Sequence, residues 1–492
     1  MEQSIAQGIG SVCWLRRDLR VRDNRALYMA LEAAATRGRK ALVVFVFDTD
    51  ILDALPDPDD RRVVFLTESV KAVDARLREE GGALCVLRGS ARIEIPRLVE
   101  SIGSGVAVYA SHDFEPFGTA RDAVVGQKLM HMDSSLVLSK DHVVFEKNEL
   151  LTGSGTPFRV FTPYLKAWRS SLELDPERHL PLWPSADLLP HLAGSDEISS
   201  RGLAVEDASG AAPTGPSTLA GGETAARARL DKTLGRLADY DRARDFPSIE
   251  GTSRLSVDLR FGTVSIRDAV RTARNSSGDG ARKWLDELVW REFYQMLLWH
   301  FPSTVDQPFQ ERTAGVVWDD PSTEPLAKER FSAWCEGRTG YPFVDAAMRE
   351  LRATGWMHNR CRMVVASFLT KDLHIHWKRG ERWFARWLLD IELASNVGGW
   401  QWAASTGADG QPWFRIFHPV LQSRAWDPQG RWIRRWCPEL AKLDDKEVHA
   451  PWEAAPQALR DAGIVLGLDW PLPVVDHAKE RRESLERFDR RG

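Results

Sequence analysis

Five short apolar runs punctuate the first 150 residues, at 12–15, 42–47, 84–87, 106–109 and 136–138. All are rich in β-branched or aromatic residues, which suit a pleated, buried strand. Between them, 26–35, 65–79, 93–101 and 121–130 repeat apolar positions at helical spacing. Strand–helix alternation of this kind predicts a parallel sheet covered by helices, a Rossmann-like α/β domain. No GxGxxG follows the first run, so the pattern gives dinucleotide binding in this domain no support.

The pattern then changes twice. From 184 to 222, Pro184, Pro190, Gly194, Gly202, Gly210, Pro213, Gly215, Pro216, Gly221 and Gly222 break up a segment with little periodicity. It reads as a connector crossing the surface. From Glu223 onward the spacing is helical, at 223–240, 266–272, 283–300, 344–353, 360–369 and 382–388, and strand signals are scarce. The expected architecture is an α/β N-terminal domain followed by a large all-α domain. The expected divisions are 1–150, a connector at 151–222, and 223–492. An all-helical assembly of this size can enclose a cofactor between helices.

Composition sharpens the second part. The whole chain carries a net charge of −4, yet residues 351–440 hold 13 Lys/Arg against 7 Asp/Glu and half of the 20 tryptophans. Indoles stack on flat rings and arginines fork onto phosphates, so this block suits nucleic-acid backbone and a flat ligand. The chain has no apolar run long enough to span a bilayer, and Met1 to Ser11 lacks an apolar signal segment, so the expected address is cytoplasmic. The five cysteines are far apart and read as reduced thiols. His374 and His376 stand two apart with no HExxH, so no metal site is expected. Neither a GxSxG elbow nor a P-loop is present.

Four segments could carry chemistry. In 284–293, Glu287 shares a helix face with Trp290 and Arg291, a set able to bind a flat heterocycle; the same spacing suits a core indole beside a Glu–Arg pair. In 252–256, three hydroxyls and an arginine suit phosphate oxygens, or simply a helix cap. In 355–363, Asn359 and Met363 are helix neighbours flanked by Arg360 and Arg362, fit for a base edge and phosphates, or for a solvated face beside an apolar stripe. In 390–402, Gly398 and Gly399 cost a helix about 1 kcal/mol each, which suggests close approach of a ligand or of another backbone.

Taken in order, the blocks 14–20, 251–256, 284–293, 339–347, 355–363 and 398–407 resemble the DNA photolyase/cryptochrome family, from about Val12 to Leu440. The likeness is greatest to the microbial cyclobutane pyrimidine dimer photolyases. It implies an antenna pigment in the α/β domain and FAD, reduced in the active form, in the helical domain. It implies blue-light-driven electron transfer to a flipped-out dimer in UV-damaged DNA, by a monomer with no membrane attachment. Damage weakens pairing and stacking, which eases the flip.

Residue by residue, the resemblance assigns Tyr240, Thr252, Ser253, Arg254, Leu255, Ser256, Arg291, Asp390, Ile391 and Glu392 to flavin contacts. Arg362 and Asp390 match an ion pair near the isoalloxazine, and Asn396 the residue beside flavin N5. Glu287, Trp290, Asn359 and Met363 match the dimer pocket; Arg244, Arg360 and Gln422 match DNA contacts. Trp400, Trp377 and Trp318 match the three-tryptophan chain that photoreduces the flavin. Glu115 matches an antenna-domain position, with a deazaflavin, methenyltetrahydrofolate or an empty site all open. Asp286, Ile391, Glu392, Val397 and His418 depart from the family pattern. Two rivals within the family are a cryptochrome-type photoreceptor and a (6-4) photolyase. Against the first stand Asn396, where plant cryptochromes often carry Asp, and the dimer-pocket residues. Against the second stands His358 followed by Asn359 where a His pair is usual. A dark flavoprotein that binds nucleic acid lacks any nicotinamide site.

Overall fold

The computed structural model describes residues 8–57, 60–183, 186–198, 202–209, 219–410 and 412–489. Five strands, β1 (Ile9–Leu15), β2 (Lys40–Asp48), β3 (Leu84–Gly89), β4 (Ala107–Ser111) and β5 (Ser135–Ser139), form one parallel sheet in the order β3-β2-β1-β4-β5. The helices α1 (Arg25–Thr36), α2 (Arg61–Glu79), α3 (Ala91–Ile102) and α4 (Pro116–Met130) alternate with them. Every residue of β1 is buried, as a central parallel strand requires. The apolar runs therefore mark the strands, and the α/β expectation holds.

Compactness groups the chain into two units that interleave along the sequence. The first is 1–157, 163–237 and 253–299; the second is 158–162, 238–252 and 300–492. The first unit thus takes in α5 (Glu223–Leu234), α6 (Ile266–Arg274) and most of α7 (Asp279–His300) along with the sheet. The second is predominantly helical. It includes α8 (Pro342–Thr354), α9 (Asn359–Ser367), α10 (Trp377–Trp387), α11 (Leu393–Ala404), α12 (Pro419–Trp426) and α13 (His477–Asp489). Among the described residues no helix is long and apolar enough to cross a membrane. The five cysteines are buried, and none forms a disulfide.

The connector is corrected in one respect: it does not simply cross the surface. Leu192 pairs with Ala41 beside β2, Ala193 N donates to Ala41 O (2.9 Å), and Ala83 N donates to Ala193 O (3.0 Å). Leu192, Ala193, Ile198, Val205 and Ala208 are buried. Isolated apolar residues between helix breakers are enough to dock the segment, and periodicity is blind to them. Pro184, Gly210, Pro213, Gly215 and Pro216, and the chain before Gly8, lie outside the described residues.

Buried charge ties the first unit together. Arg20, in the Trp14–Arg20 block, pairs with Asp141 (2.6 Å) and donates to Gly262 O (3.0 Å); Arg267 pairs with Asp141 (2.9 Å) and Asp23 (3.2 Å). Each charge is compensated, which is what makes burial tolerable. Gly262 has φ +68°, and a Cβ there would lie 1.9 Å from Arg17 O, so only glycine fits.

Glu292 on α7 is the other fastener. Its carboxyl accepts from Val144 N (2.6 Å), Phe145 N (3.0 Å), Tyr164 Oη (3.1 Å) and Trp168 Nε1 (2.7 Å). Burial raises its pKa to about 7 against the pull of those four donors. The folded state therefore holds a proton that the unfolded chain has released, so this group's contribution to stability falls as pH rises from the unfolded carboxyl range to about 7. Glu292→Gln should remove that pH dependence. It should also cost about 1–3 kcal/mol at low pH, because the amide N–H₂ of glutamine faces an N–H donor. Urea unfolding at a series of pH values checks both; an unchanged midpoint and slope would contradict the account.

Candidate functional site

The second unit assembles most of the predicted groups. α9 begins at Asn359 with His358 as its cap, the ring Nδ1 accepting from Arg360 N (3.1 Å). One turn on, Arg362 donates Nε to Met357 O and Nη2 to Asp390 Oδ2, both at 2.8 Å. The Arg362–Asp390 ion pair expected from the resemblance is present. Asp390 is buried, yet its other oxygen, Oδ1, has no hydrogen-bond partner among the described residues. A buried lone acceptor is costly unless a donor arrives. An N–H on the edge of a flat heterocycle would satisfy it.

Asn396 lies on the buried side of α11, and both hydrogens of its amide nitrogen are engaged: Nδ2 donates to Glu381 O (3.1 Å) and Glu381 Oε1 (2.8 Å). Glu381 is itself held by Lys378 at 3.2 Å. The group Asn396 has left to offer is its carbonyl oxygen, an acceptor. Glu381 was not among the sequence-derived candidates. Its only signal was an acid within a stretch of Trp and Arg, which reads as surface charge. Of the flanking departures, Glu392 is buried and accepts from Ser395 Oγ (3.3 Å), Val397 is core, and Ile391 packs against the core. His418 precedes α12 without a side-chain capping bond, and its ring lies 4.3 Å from the His477 ring on α13, a contact that a smaller amide in its place would not span equally.

The three tryptophans of the expected chain also fall in this unit. Trp400 and Trp377 are buried, and Trp318 is half-buried. Trp400 lies edge-on to Phe384 (5.0 Å) and Trp334 (6.1 Å). His376 contacts both of the others, its ring 5.3 Å from Trp377 and 5.5 Å from Trp318. Trp400 meets α10 at Gly380, where a Cβ would lie 2.1 Å from Trp400 Cη2. Trp377 is one turn away on the same helix.

A third group surrounds Asp245 and Trp426. Arg360 pairs with Asp245 (2.8 Å) and lies 4.4 Å over the Trp426 ring; Arg244 is 3.9 Å from Asp245 and 5.7 Å over Tyr240. Gln422 accepts from Trp426 Nε1 (3.0 Å). Arg244, Arg360 and Gln422, matched separately as DNA contacts, thus share one cluster. Asn359 is exposed, and its Nδ2 reaches Met363 Sδ at 3.9 Å, so these two are neighbours as spaced.

The remaining candidates belong to the first unit or to its margin. On α7, Glu287 is half-buried beside Lys283 (3.7 Å), and Trp290 packs against Phe293 (5.7 Å) and Tyr294 (5.6 Å). Asp286 pairs with Arg169. Arg291 donates to His142 O (2.6 Å). In 252–256, Thr252 ends a segment of the second unit and Ser253 begins one of the first. Leu255 is buried, Ser256 starts a helical turn, and Arg254 is exposed with φ +54°. That φ is unfavourable for a β-carbon-bearing residue and marks a constrained turn. Glu115 immediately precedes α4, and its side chain pairs with Arg17 (2.9 Å) rather than with the helix end. Among the described residues no group of three or more His, Cys, Asp or Glu is arranged to hold a metal.

Two family models match the chain. One, described as DNA photolyase, covers residues 11–184; the other, the FAD binding domain of DNA photolyase, covers residues 284–490. A deoxyribodipyrimidine photo-lyase of Synechococcus sp. is 38% identical, over 96% of this chain and 94% of its own length. Among solved structures, a bacterial class III photolyase from Agrobacterium tumefaciens superposes with a TM-score of 0.86 at 34% identity, covering 98% of this chain and 97% of that one. A Synechocystis sp. cryptochrome superposes with a TM-score of 0.84 at 26% identity, covering 97% and 98%.

The Gly380 contact gives a direct test. Gly380→Ala should push Trp400 out of place and cost about 1–3 kcal/mol, the usual range for an added methyl group in a packed core. Denaturation and near-ultraviolet circular dichroism check it; an unchanged aromatic signal and midpoint would contradict the packing.

Proposed function

The chain belongs to the DNA photolyase family, with an FAD-binding domain, and from that premise we propose that it repairs cyclobutane pyrimidine dimers in UV-damaged DNA under blue light. The observation that carries the reading is the buried Asp390 Oδ1, which is held next to Arg362 and has no hydrogen-bond partner among the described residues, in a Trp-rich helical unit. When bound, reduced FAD supplies a photoexcited electron that opens the cyclobutane ring and then returns.

The chain's own residues bind, orient and insulate. Asp390 and Asn396 offer acceptors to the flavin edge. Tyr240, Arg291, Ile391, Glu392 and the 252–256 turn complete its contacts, the hydroxyls and Arg254 serving the phosphates. Glu287 hydrogen-bonds the lesion, Trp290 stacks on it, and Asn359 and Met363 contact its bases. Arg244, Arg360 and Gln422 grip the strand. Trp400, Trp377 and Trp318 carry an electron inward to restore the reduced flavin, since indoles oxidise more readily than aliphatic side chains. We assign antenna binding to 1–150 and FAD and DNA binding to 223–492, with 151–222 as the connector. Glu115 belongs to an antenna site for a deazaflavin or methenyltetrahydrofolate. The enzyme acts as a cytoplasmic monomer.

The cryptochrome-like structural neighbour keeps a second reading in view, a photoreceptor that binds FAD without repair. One experiment separates them: reduced protein is mixed with a dimer-containing oligonucleotide, under blue light and in the dark. Light-dependent ring splitting supports repair; binding without splitting favours the photoreceptor. Trp290→Ala should weaken damaged-DNA binding by about 1–3 kcal/mol, the range for one stacked base. Unchanged affinity in a gel-shift titration would misplace the lesion contact. Trp400→Phe should slow photoreduction of oxidised flavin but spare repair by chemically reduced enzyme. Unimpaired photoreduction in that variant would reject the hopping route.

A further inference from the structure

Trp318 forms one wall of a cavity of about 330 Å³, lined also by Asp319, Asp320, His376, Lys378, Arg379 and Arg382. That volume lies at the small end of the range for small-molecule sites, ~300–1,000 Å³. Two walls are flat rings, Trp318 and His376, set nearly perpendicular at 73°. The charges around it are unequally matched. Asp319 pairs with Arg487, Asp320 with Arg379 (2.8 Å), and Lys378 with Glu381 (3.2 Å). Arg382 forms no ion pair among the described residues. His376 Nδ1 accepts from Lys378 N (3.1 Å), so the ring hydrogen sits on Nε2 and is available to a ligand. Burial beside Lys378, Arg379 and Arg382 lowers the His376 pKa to about 4, which keeps the ring neutral and that hydrogen in place at physiological pH.

A flat-walled cavity with a spare cation and a ring N–H suits a small, planar organic anion. Its position suits an electron donor, because Trp318 is the most exposed of the three tryptophans of the proposed hopping route and contacts His376, which in turn contacts Trp377. We propose that this cavity docks a small anionic one-electron reductant of the enediolate class against Trp318, with Arg382 and His376 holding it. The inference rests on the hopping route through Trp400 and Trp377. Oxidised Trp318, an indole radical cation, takes one electron from the docked monoanion and returns to neutral indole. The donor becomes its radical anion, and the proton it loses goes to solvent. The net result is that Trp318 is refilled before charge can recombine. Docking also separates this from chance collision: the rate of refilling must saturate as donor is added.

Ascorbate is the probe, and the full-length protein carrying oxidised FAD is the sample. Flash photolysis follows decay of the tryptophan radical against ascorbate concentration, and titration calorimetry follows ascorbate binding in the dark. The expected decay rate rises to a plateau. Arg382→Glu should raise the half-saturating concentration and the dark dissociation constant about tenfold, the effect of reversing one nearby charge at partial exposure. Arg382→Lys should largely restore both. The yield of the radical and repair by chemically reduced enzyme should stay unchanged in these variants. A strictly linear rate that is identical in Arg382→Glu, or no ascorbate binding in the dark, would overturn the docking site while leaving the hopping route standing. A wild type that shows no tryptophan radical at all would overturn the hopping route and the docking site with it.

Discussion

Gly380 carries no side chain, and Trp400 occupies the space a Cβ would need. That contact lets α11 lie against α10, so the helix bearing Asn396 packs on the helix bearing Trp377, Lys378 and Glu381. Glu381 then reaches Asn396 and spends both of its amide hydrogens. One missing methyl group therefore brings the indoles of Trp377 and Trp400 and an oriented acceptor into the same packed layer. Packing density enforces this: at native density, neither helix can shift without losing contacts along its length.

The polar groups of that layer are few and tightly assigned. Among the described residues the Arg362 side chain has two hydrogen-bond partners and that of Asp390 has one, so Asp390 Oδ1 is a buried acceptor that an N–H donor would satisfy. A lone apolar core would have replaced this pair by hydrophobic residues at no loss of stability. Retaining it suits a ligand whose edge carries an N–H. Around Asp245, by contrast, Arg360 and Arg244 are held against Trp426 and Tyr240, so cations and flat rings are already stacked together. Such a surface suits a phosphate backbone, because side chains ordered in advance lower the entropy cost of binding.

Much of the fold is legible in the amino-acid pattern. Each of the five apolar runs lies within one of the five strands or within a residue of its end, and the helical spacings at 266–272 and 344–353 lie inside α6 and α8. Parallel strands are buried on both faces, so their apolar runs are unmistakable. Three kinds of feature escape such a reading. Glu292 reads as a surface acid in sequence, because its four donors come from Val144, Phe145, Tyr164 and Trp168, more than a hundred positions away. Glu381 is hidden in the same way, its role visible only through Asn396. The docking of Leu192 and Ala193 depends on two residues, too few to set up a period. Motif order points to the chemistry, whereas polar partners distant along the chain come together only when it folds.

A flavin seated in the helical core through Asp390, Arg362 and Asn396 is the requirement behind every role assigned to these residues. Absorption spectroscopy of the purified full-length protein, with and without denaturation to release bound pigment, tests this most directly. Equimolar FAD is expected in the wild type, and a clear loss of bound FAD in Asp390→Ala with the fold intact by circular dichroism. A colourless wild type that takes up no FAD on incubation, or full FAD content in Asp390→Ala, would contradict it.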